Sequence, residues 1–265
     1  MYSIIIPIYK GEASIQDLLI TLRGIGKRLN SVVEVVSVVD GSPDQSFQRL
    51  ASELPSLPFK SKLIALSRNF GSFAAIRVGL QKASGPYFAT MSADLQEPAD
   101  LVVGFFEELA KDEADVVLGT RVSRDDPFLS KIASQTFWFL YRRFVQPQIP
   151  PGGIDVFACN AAFRDQLLKL DESHSSLVDL LVWLGFRRKA IQYKRARRQH
   201  GRSTWTFATK MRYLTDSLFS FSDLPIKILL WIGSFGIVVS FVFSAVVLWA
   251  RLSGRIQVPG IRPSS

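Results

Sequence analysis

The sequence is poor in cysteine and histidine. Cys159 is the single cysteine among 265 residues, which excludes an internal disulfide framework and a zinc site built from cysteines. His174 and His200 are the only histidines, too few for a histidine-built metal site. Because aromatic residues make up 12% and charged residues 21%, the composition also excludes a disordered chain.

Several common functional motifs are missing as well. The chain has no P-loop signature, and no nucleophile elbow surrounds a serine or the cysteine. The pair Gly24 and Gly26 lacks a third glycine at the required position and falls inside a predicted helix. The sequence therefore gives no support to a P-loop, dinucleotide-binding or serine-hydrolase function.

Acidic residues are absent from one strongly basic stretch. Residues 187–212, here called the basic band, contain ten Lys and Arg and no Asp or Glu, so the remainder has 22 basic and 23 acidic residues. The net charge of +9 thus belongs to one band on a nearly neutral body. Such a band is either a solvated face or a site for an anionic partner. We expect no nucleic acid, because the band contains no nucleic-acid-binding motif and adjoins a predicted membrane segment.

One long segment has no charge at all. Ile228–Ala250 is uncharged and lies between Lys227 and Arg251. As a helix it would be about 34 Å long, enough to cross a bilayer core. Trp231 and Trp249 lie near its two ends, where interfacial aromatics are common. The segment therefore predicts a transmembrane helix rather than a buried core helix.

Strands and helices alternate through the first 119 residues. The pattern predicts an α/β fold with a mainly parallel sheet and helices on both faces. The first strand is too short for a signal peptide, and Pro7 interrupts it. Predicted strands cover Ser3–Ile8, Val32–Val39, Lys62–Leu66, Tyr87–Ala93 and Asp115–Gly119, and predicted helices cover Ser14–Leu29, Ser46–Glu53, Phe73–Ala83 and Asp100–Lys111.

Beyond Gly119 the alternation is weaker. Pro127–Phe144 has the spacing of an amphipathic helix, Gln146–Gly153 is a Pro- and Gly-rich loop, and Phe207–Phe221 has the pattern of an interfacial helix. We expect a globular domain over residues 1–205, a juxtamembrane amphipathic helix over 206–226, a transmembrane helix over 227–251 and a short tail over 252–265.

Polar clusters follow four of the predicted strands. They are Tyr9–Glu12, Asp40–Asp44, Arg68–Gly71 and Asp94–Gln96. Ligands bind beyond the carboxyl ends of the strands in such sheets. Asp94 and Gln96 are two residues apart, so an extended backbone would point both to one side, and their oxygens suit Mg²⁺ or Mn²⁺ completed by a diphosphate. An ordinary Asx-type turn at Asp40–Asp44 and a helix N-cap at Asp94 remain open alternatives.

Taken in this order, the clusters resemble those of the family-2 glycosyltransferases with the GT-A fold. Within that family the chain is similar to the polyprenyl-phosphate glycosyltransferases, such as dolichyl-phosphate mannose synthases and bactoprenol glucosyltransferases. The resemblance extends over nearly the whole chain. It rests on Ser3–Tyr9, Val39–Asp44, Arg68–Gly71, Ser92–Pro98, Gly119–Arg121, Lys131–Ser134, Asp155–Asn160 and Arg198–Ser203.

The resemblance implies a role for each matching residue. The nucleotide pocket would be lined by Pro7, Tyr9, Glu12, Asp40, Arg68 and Ser92. Asp94 and Gln96 would hold Mg²⁺ or Mn²⁺ on the donor diphosphate. The acceptor phosphate would meet Arg121, Lys131, Ser134, Arg198 and Ser203. Asp94, Arg121 and Asp155 are the candidate catalytic residues, with Asp155 either a sugar or acceptor contact or a structural turn aspartate.

The implied activity is an inverting transfer of a sugar from a nucleotide sugar, with uridine favoured, to undecaprenyl or another polyprenyl phosphate. A lipid monophosphate has a second pKa of about 6 and is already anionic, so it needs no strong general base. We expect the chain in the inner (plasma) membrane with its catalytic domain facing the cytoplasm, where nucleotide sugars are made, in a pathway of cell-envelope glycan or lipopolysaccharide modification. The expected partners are the donor, the lipid acceptor and the membrane, and homo-oligomerisation is left open.

The chain departs from the family pattern at three positions. Val39 and Ser92 stand where the family commonly has acidic residues, and Thr204 stands where a lysine is common. The loss of a carboxylate at 92 should weaken metal affinity. Two alternatives follow: a family-2 transferase acting on a sugar hydroxyl, and a catalytically weak nucleotide-sugar-binding homologue. Val258–Gly260 resembles a turn between two membrane helices in relatives, so a single-span variant, a truncated chain and an engineered chain all remain open.

Overall fold

The computed structural model describes residues 1–121, 139, 141–143, 146–150, 153–170, 177–196, 215 and 223–253. The chain divides into two units, Met1–Phe221 and Ser222–Ser265. Most of the predicted helix Pro127–Phe144 and of the predicted interfacial helix Phe207–Phe221 lies outside the described residues.

The first unit is built on a seven-stranded sheet with the order β3-β2-β1-β4-β6-β5-β7. β6 is antiparallel to its neighbours β4 and β5, and the other adjacent strands are parallel. The prediction of a mainly parallel sheet is therefore confirmed. The strands are β1 (Tyr2–Ile8), β2 (Val33–Asp40), β3 (Lys60–Leu66), β4 (Tyr87–Thr90), β5 (Val116–Arg121), β6 (Ile154–Asn160) and β7 (Arg188–Tyr193).

Helices cover both faces of this sheet. Residues of β1 alternate between two hydrophobic clusters, with Ile4 and Ile6 in one and Ile5 in the other, as the twofold repeat of a strand requires. The helices are α1 (Ile15–Leu29), α2 (Ser46–Glu53), α3 (Ser72–Lys82), α4 (Ala99–Ala110), α5 (Ala161–Lys169) and α6 (Leu177–Trp183). The first cluster includes apolar residues of α1, α2 and α4, and the second those of α3, α5 and α6.

Two side chains buried in the sheet have unusual chemistry for a core. The thiol of Cys159, on β6, is fully buried, and burial raises its pKa. The carboxylate of Glu34, near the start of β2, is 1% exposed. It accepts hydrogen bonds from Ser3 Oγ and Ser84 N, both at 2.7 Å, and pairs with Lys62 Nζ at 2.9 Å.

The Glu34 cluster makes the stability of the fold depend on pH. Burial alone would raise the pKa of Glu34, but the hydrogen bonds from Ser3, Ser84 and Lys62 outweigh it and lower the pKa to about 2. A carboxylate with a lowered pKa stabilises the folded state fully above its unfolded value of 4.5 and loses that contribution as the pH falls toward 2.

We therefore expect Glu34→Gln to lower the free energy of unfolding by about 2 kcal/mol at pH 7, with the difference shrinking between pH 4.5 and 2. Denaturant unfolding of the full chain in detergent, followed by circular dichroism, measures this. Glu107→Gln, at an exposed position of α4, is the matched control and should change little. A difference that stays constant from pH 7 to pH 3 would contradict the assignment.

The second unit contains the helix α7 (Leu224–Leu252). Within it, Ile226–Leu252 is the one helix of the described residues that is long and apolar enough to cross a membrane. Its apolar side chains are exposed, including Trp231 and Trp249. This helix includes the predicted segment 227–251, and its passage through a membrane stays a prediction.

Candidate active site

The predicted polar clusters lie at one edge of the sheet. β1, β2, β3, β4, β5 and β7 run in the same direction, and antiparallel β6 begins where they end. The clusters after β1, β2, β3 and β4 therefore share an edge with the end of β5 and the start of β6. This is the edge at which α/β sheets bind ligands.

Asp40, the last residue of β2, holds the loop that follows β3. Its two carboxylate oxygens accept hydrogen bonds from Phe70 N and Gly71 N, both at 2.8 Å. Gly41 has a φ of 56°, and a Cβ there would lie 2.2 Å from the carbonyl carbon of Arg68, so only glycine allows this close approach. Asp40 is 2% exposed and works as a structural clamp, while its nucleotide contact remains a prediction.

The loop after β3, which Asp40 holds, carries two exposed side chains, the cation Arg68 and the aromatic ring of Phe70. The Arg68 guanidinium carbon lies 4.7 Å from the centroid of the Phe70 ring, and Phe70 is 50% exposed. A cation over an aromatic face is mutually stabilising. The structure thus places Arg68 at the expected edge with its side chain oriented by Phe70.

Asp44 and Glu12 join the loops after β1 and β2. Asp44 accepts from Ser42 Oγ and Ser46 Oγ, both at 2.6 Å, and from Glu12 N at 3.1 Å. In return, Glu12 accepts from Gln45 N at 3.2 Å and pairs with Arg49 at 3.1 Å. Ser46 N also donates to Asp44 Oδ1 at 3.2 Å, which is the hydrogen bond of an Asx turn, so the structure has such a turn at Asp44. Burial would raise the pKa of Asp44, but these hydrogen bonds outweigh it and lower the pKa.

Pro7 and Tyr9 also reach this edge. Pro7 lies within β1 and Tyr9 directly after it, and both are partly buried. Lys10 follows with a φ of 52°, and its Nζ lies 5.4 Å from the centroid of the Tyr9 ring. The backbone N–H of Lys10 donates to Ser42 Oγ at 2.7 Å, so this loop is fixed to the one after β2.

The loop after β4 differs from the prediction in its backbone. β4 ends at Thr90 rather than continuing to Ala93, and Leu95 has a φ of 56°. The assumption of an extended backbone between Asp94 and Gln96 is therefore wrong. A turn forms instead, with Leu95 N donating to Ser92 O at 3.3 Å and Gln96 N donating to Asp94 Oδ1 at 3.3 Å.

Gln96 binds the chain that leaves β7. Its Oε1 accepts from Arg195 at 2.6 Å, its Nε2 donates to Ala196 O at 3.3 Å, and its backbone oxygen accepts from Ala196 N at 2.9 Å. The amide oxygen proposed for a metal is thus shared with a guanidinium in this structure. Arg195 was not among the residues predicted from the sequence for this site.

The possible metal ligands near Asp94 fit an ion that is held jointly by the protein and a bound diphosphate better than an ion enclosed by protein ligands alone. Among the described residues, no group of three His, Cys, Asp or Glu is placed to hold a metal ion. A half-buried Asp94 carboxylate and a Gln96 amide oxygen are hard ligands that suit Mg²⁺ or Mn²⁺. Such an ion would take its remaining ligands from a diphosphate and water.

Glu97 is a second acidic residue of this loop that the sequence analysis missed. It is 3% exposed, and its Oε2 accepts from Ser92 N at 3.3 Å. Burial, together with the charges of Asp94 and Asp155, raises the pKa of Glu97 against the opposing effect of Ser92. Within the described part of the chain, Glu97 Oε1 and Arg195 Nε are buried without hydrogen-bond partners, and unpartnered buried groups call for a functional explanation.

Arg121 and Asp155 are brought into direct contact. Arg121 Nε and Nη2 donate to the two oxygens of Asp155, which gives a bidentate pair with both side chains 15% exposed. Tyr193 Oη donates to the same carboxylate at 2.7 Å. Asp155 lies in a strand rather than in a turn. Its direct contact with a substrate remains a prediction.

A β-bulge places Asp155 at this position. Gly119 pairs with Val156 and Thr120 pairs with Ile154, so Asp155 is the extra residue of β6. Bulges re-aim side chains and are frequent beside active sites. A Cβ on Gly119 would lie 2.9 Å from Val156 Cγ2, so glycine permits the close packing next to the bulge.

Several cations of the basic band form ion pairs and hydrogen bonds within the domain. Arg187 pairs with Asp115 at 2.9 Å, Lys189 pairs with Glu113 at 3.0 Å, and Arg188 donates to Gln148 at 2.8 Å. These three cations hold β7 and the residue before it against neighbouring segments, and no local pattern in the sequence predicts these contacts. Lys131, Ser134, Arg198 and Ser203, which were predicted to meet the acceptor phosphate, lie outside the described residues.

Comparison with known proteins identifies a family. The family described as glycosyl transferase family 2 matches residues 3–170. A glycosyltransferase of Bacillus subtilis is 28% identical over 260 residues, covering 98% of this chain and 78% of the relative. The undecaprenyl-phosphate 4-deoxy-4-formamido-L-arabinose transferase of Pectobacterium atrosepticum is 30% identical over 253 residues, covering 94% and 76%.

The fold is also found in a solved structure. A mannosyltransferase from Pyrobaculum calidifontis, solved in complex with GDP-Man and Mn²⁺, aligns with a TM-score of 0.52 and 18% identity. The alignment covers 72% of this chain and 54% of that protein. The likeness concerns the arrangement of the sheet and its helices.

Proposed function

The chain belongs to glycosyl transferase family 2, and from this premise we propose that it transfers a sugar from a nucleotide sugar, a UDP-sugar foremost, to undecaprenyl or another polyprenyl phosphate. The name of the Pectobacterium relative supports a polyprenyl-phosphate acceptor. The helix Ile226–Leu252 supports an acceptor that resides in a membrane.

The state of Asp155 is the observation that carries the choice of acceptor. A sugar hydroxyl needs a carboxylate base to remove its proton during attack. Asp155 is unsuited to that task, because its oxygens accept hydrogen bonds from Arg121 and Tyr193. A lipid monophosphate is already anionic near neutral pH, so it needs a cation to position it rather than a base. Arg121, held by Asp155, supplies that cation.

Arg121 retains a donor edge for this purpose. Nε and Nη2 face Asp155, and none of the described residues accepts a hydrogen bond from Nη1. A guanidinium recognises phosphate oxygens with directed hydrogen bonds. We therefore assign Arg121 to the acceptor phosphate, together with Lys131, Ser134, Arg198 and Ser203. Attack by a phosphate oxygen at the anomeric carbon, in line with the departing diphosphate, inverts that carbon.

The donor is assigned to the edge after β1 to β4. Pro7, Tyr9, Glu12, Asp40, Arg68 and Ser92 would line the nucleotide pocket. Asp94 and Gln96 would hold Mg²⁺ or Mn²⁺, which when bound stabilises the negative charge of the departing nucleoside diphosphate. The Mn²⁺ in the Pyrobaculum structure supports a divalent ion. For this to occur, Gln96 Oε1 would exchange its hydrogen bond with Arg195 for the metal.

The location follows from the chemistry of the donor. Nucleotide sugars are made in the cytosol, so we place a catalytic domain of residues 1–205 on the cytoplasmic side of the inner (plasma) membrane. Residues 206–226 would lie at the surface as an amphipathic helix, and residues 227–251 would span the bilayer. A cytoplasmic basic segment gains about 1 kcal/mol per Lys or Arg near anionic lipid.

The proposal predicts a lipid-linked sugar as product. Membranes containing the full chain, incubated with undecaprenyl phosphate, Mn²⁺ and a panel of UDP- and GDP-sugars, should give a new lipid whose mass equals that of the acceptor plus one glycosyl residue, which is the sugar less one water, and should release the nucleoside diphosphate. Undecaprenol, which lacks the phosphate, is the matched acceptor control and should give none. Transfer to undecaprenol or to a glycan, with undecaprenyl phosphate left unchanged, would overturn the assignment.

A further inference from the structure

Three neighbouring strand ends converge on one carboxylate. Arg121 ends β5 and pairs in register with Tyr193, which ends β7. Asp155 comes from β6, on the other side of β5, and is turned out of the ladder by the bulge. Tyr193 therefore reaches Asp155 across the strand that carries Arg121.

Tyr193 completes the hydrogen bonding of this carboxylate. Asp155 Oδ2 accepts from Arg121 Nε and, at 2.7 Å, from Tyr193 Oη, while Oδ1 accepts from Arg121 Nη2. With Asp155 only 15% exposed, water has little room to replace a lost donor. A carboxylate that loses one of three donors in such a place is less firmly oriented, and so is the guanidinium bound to it.

The ring of Tyr193 is fixed by the core. Tyr193 is 5% exposed and belongs to the hydrophobic cluster on the α1 and α4 face. The side chain is thus anchored by apolar packing at its ring and ends in one donor at the sheet edge. Burial first, and then the negative charge of Asp155, raises the pKa of Tyr193, so the hydroxyl stays protonated and able to donate.

From this geometry we propose that Tyr193 is a positioning residue for sugar transfer: it orients Asp155, and through Asp155 it aims the Arg121 guanidinium at the acceptor phosphate. The inference rests on the proposed function and deepens it. Tyr193 itself contacts neither donor nor acceptor. Its effect should therefore fall on the acceptor and pass entirely through Asp155.

Tyr193→Phe tests this, because it removes the hydroxyl and keeps the ring in its cluster. In the full chain we expect the KM for undecaprenyl phosphate to rise about tenfold, within the range for a hydrogen bond to a charged group. The KM for the nucleotide sugar should not change. In an Asp155→Asn background, the same substitution should have no further effect, because the group it acts through is already altered.

The control is Tyr2→Phe, since Tyr2 packs against the same hydrophobic cluster but begins β1 at the opposite edge of the sheet. It should leave both KM values unchanged. An unchanged acceptor KM in Tyr193→Phe, or an equal loss in the wild-type and the Asp155→Asn backgrounds, would overturn the inference while the wild-type activity stands. If the wild-type chain transfers no sugar to undecaprenyl phosphate, the proposed function fails first, and the role of Tyr193 in acceptor binding fails with it.

Discussion

Replacing Asp94 by asparagine is expected to lower sugar transfer about a thousandfold without unfolding the protein. Loss of one group that stabilises developing charge commonly costs a hundredfold to a thousandfold in rate. The backbone hydrogen bond from Gln96 N to Asp94 Oδ1 can be retained by the asparagine oxygen. The turn after β4 should therefore persist while the negative charge that would hold the metal is lost.

Two measurements separate this prediction from a folding defect. Mn²⁺ binding in the presence of a nucleotide sugar, followed by electron paramagnetic resonance, should weaken in Asp94→Asn along with transfer of label to the lipid. Asp100→Asn is the matched control, because Asp100 is an exposed residue of α4 that pairs with Arg28. Full activity or unchanged Mn²⁺ binding in the Asp94 variant would refute the metal role.

Replacing Arg121 by methionine should have the second-largest effect, a fall of about a hundredfold or more in kcat/KM for the lipid acceptor. The substitution removes the proposed phosphate contact and also leaves the carboxylate of Asp155, 15% exposed, without its cation. Leaving one charge of a buried pair uncompensated destabilises proteins by about 3–5 kcal/mol. Because the site is partly exposed, we expect the lower end of that range in denaturant unfolding.

Arg121→Lys distinguishes charge from geometry. Lysine keeps the positive charge but cannot form the two parallel hydrogen bonds of the guanidinium. Transfer should fall about tenfold, with recovery of most of the stability lost in the methionine variant. Arg28→Lys, at an exposed Arg–Asp pair, should leave activity unchanged. If Arg121→Lys matched wild type in kcat/KM, the bidentate geometry would be unimportant.

The first 119 residues could be predicted well because their signals are local. β1 and β2 are short apolar runs, and α1 repeats its buried residues at helical spacing. Helical periodicity marks the buried face of α1, and the unbroken apolar runs of β1 and β2 indicate strands buried on both faces. The four polar clusters could be assigned to one edge because each follows a strand, and the carboxyl ends of parallel strands lie at the same edge of a sheet.

The later strands could not be predicted, because their pairing is set by distant partners. β7 alternates largely between exposed and partly buried residues. Its Lys189 pairs with Glu108 and Glu113, and Arg187, just before the strand, pairs with Asp115. The antiparallel insertion of β6 between β4 and β5 leaves no local mark in the sequence. The bulge at Asp155 and the left-handed backbone conformation of Leu95 likewise depend on tertiary contacts. At both positions the backbone departs from regular geometry, and this changes the direction of the side chains.

The described site residues lie at the predicted edge of the sheet, whereas their functional roles stay predictions. Asp40, Glu12 and Gln96 were expected to face ligands, yet each also fixes a neighbouring loop through hydrogen bonds. Asp44, Glu97, Tyr193 and Arg195 were not among the predicted contacts. Tyr193 does carry a weak signal, because a tyrosine ending a strand has a ring to bury and a hydroxyl to place.

The buried thiol of Cys159 has a practical consequence for spectroscopy. The native protein offers no accessible sulfur from this residue, and no other cysteine exists in the sequence. A cysteine introduced at an exposed position near the edge of the sheet that carries the candidate active site, such as Ser67 directly after β3, can therefore carry a fluorophore or spin label in the otherwise unaltered chain. Distances from such labels to a labelled donor or lipid would follow substrate arrival without a cysteine-free background.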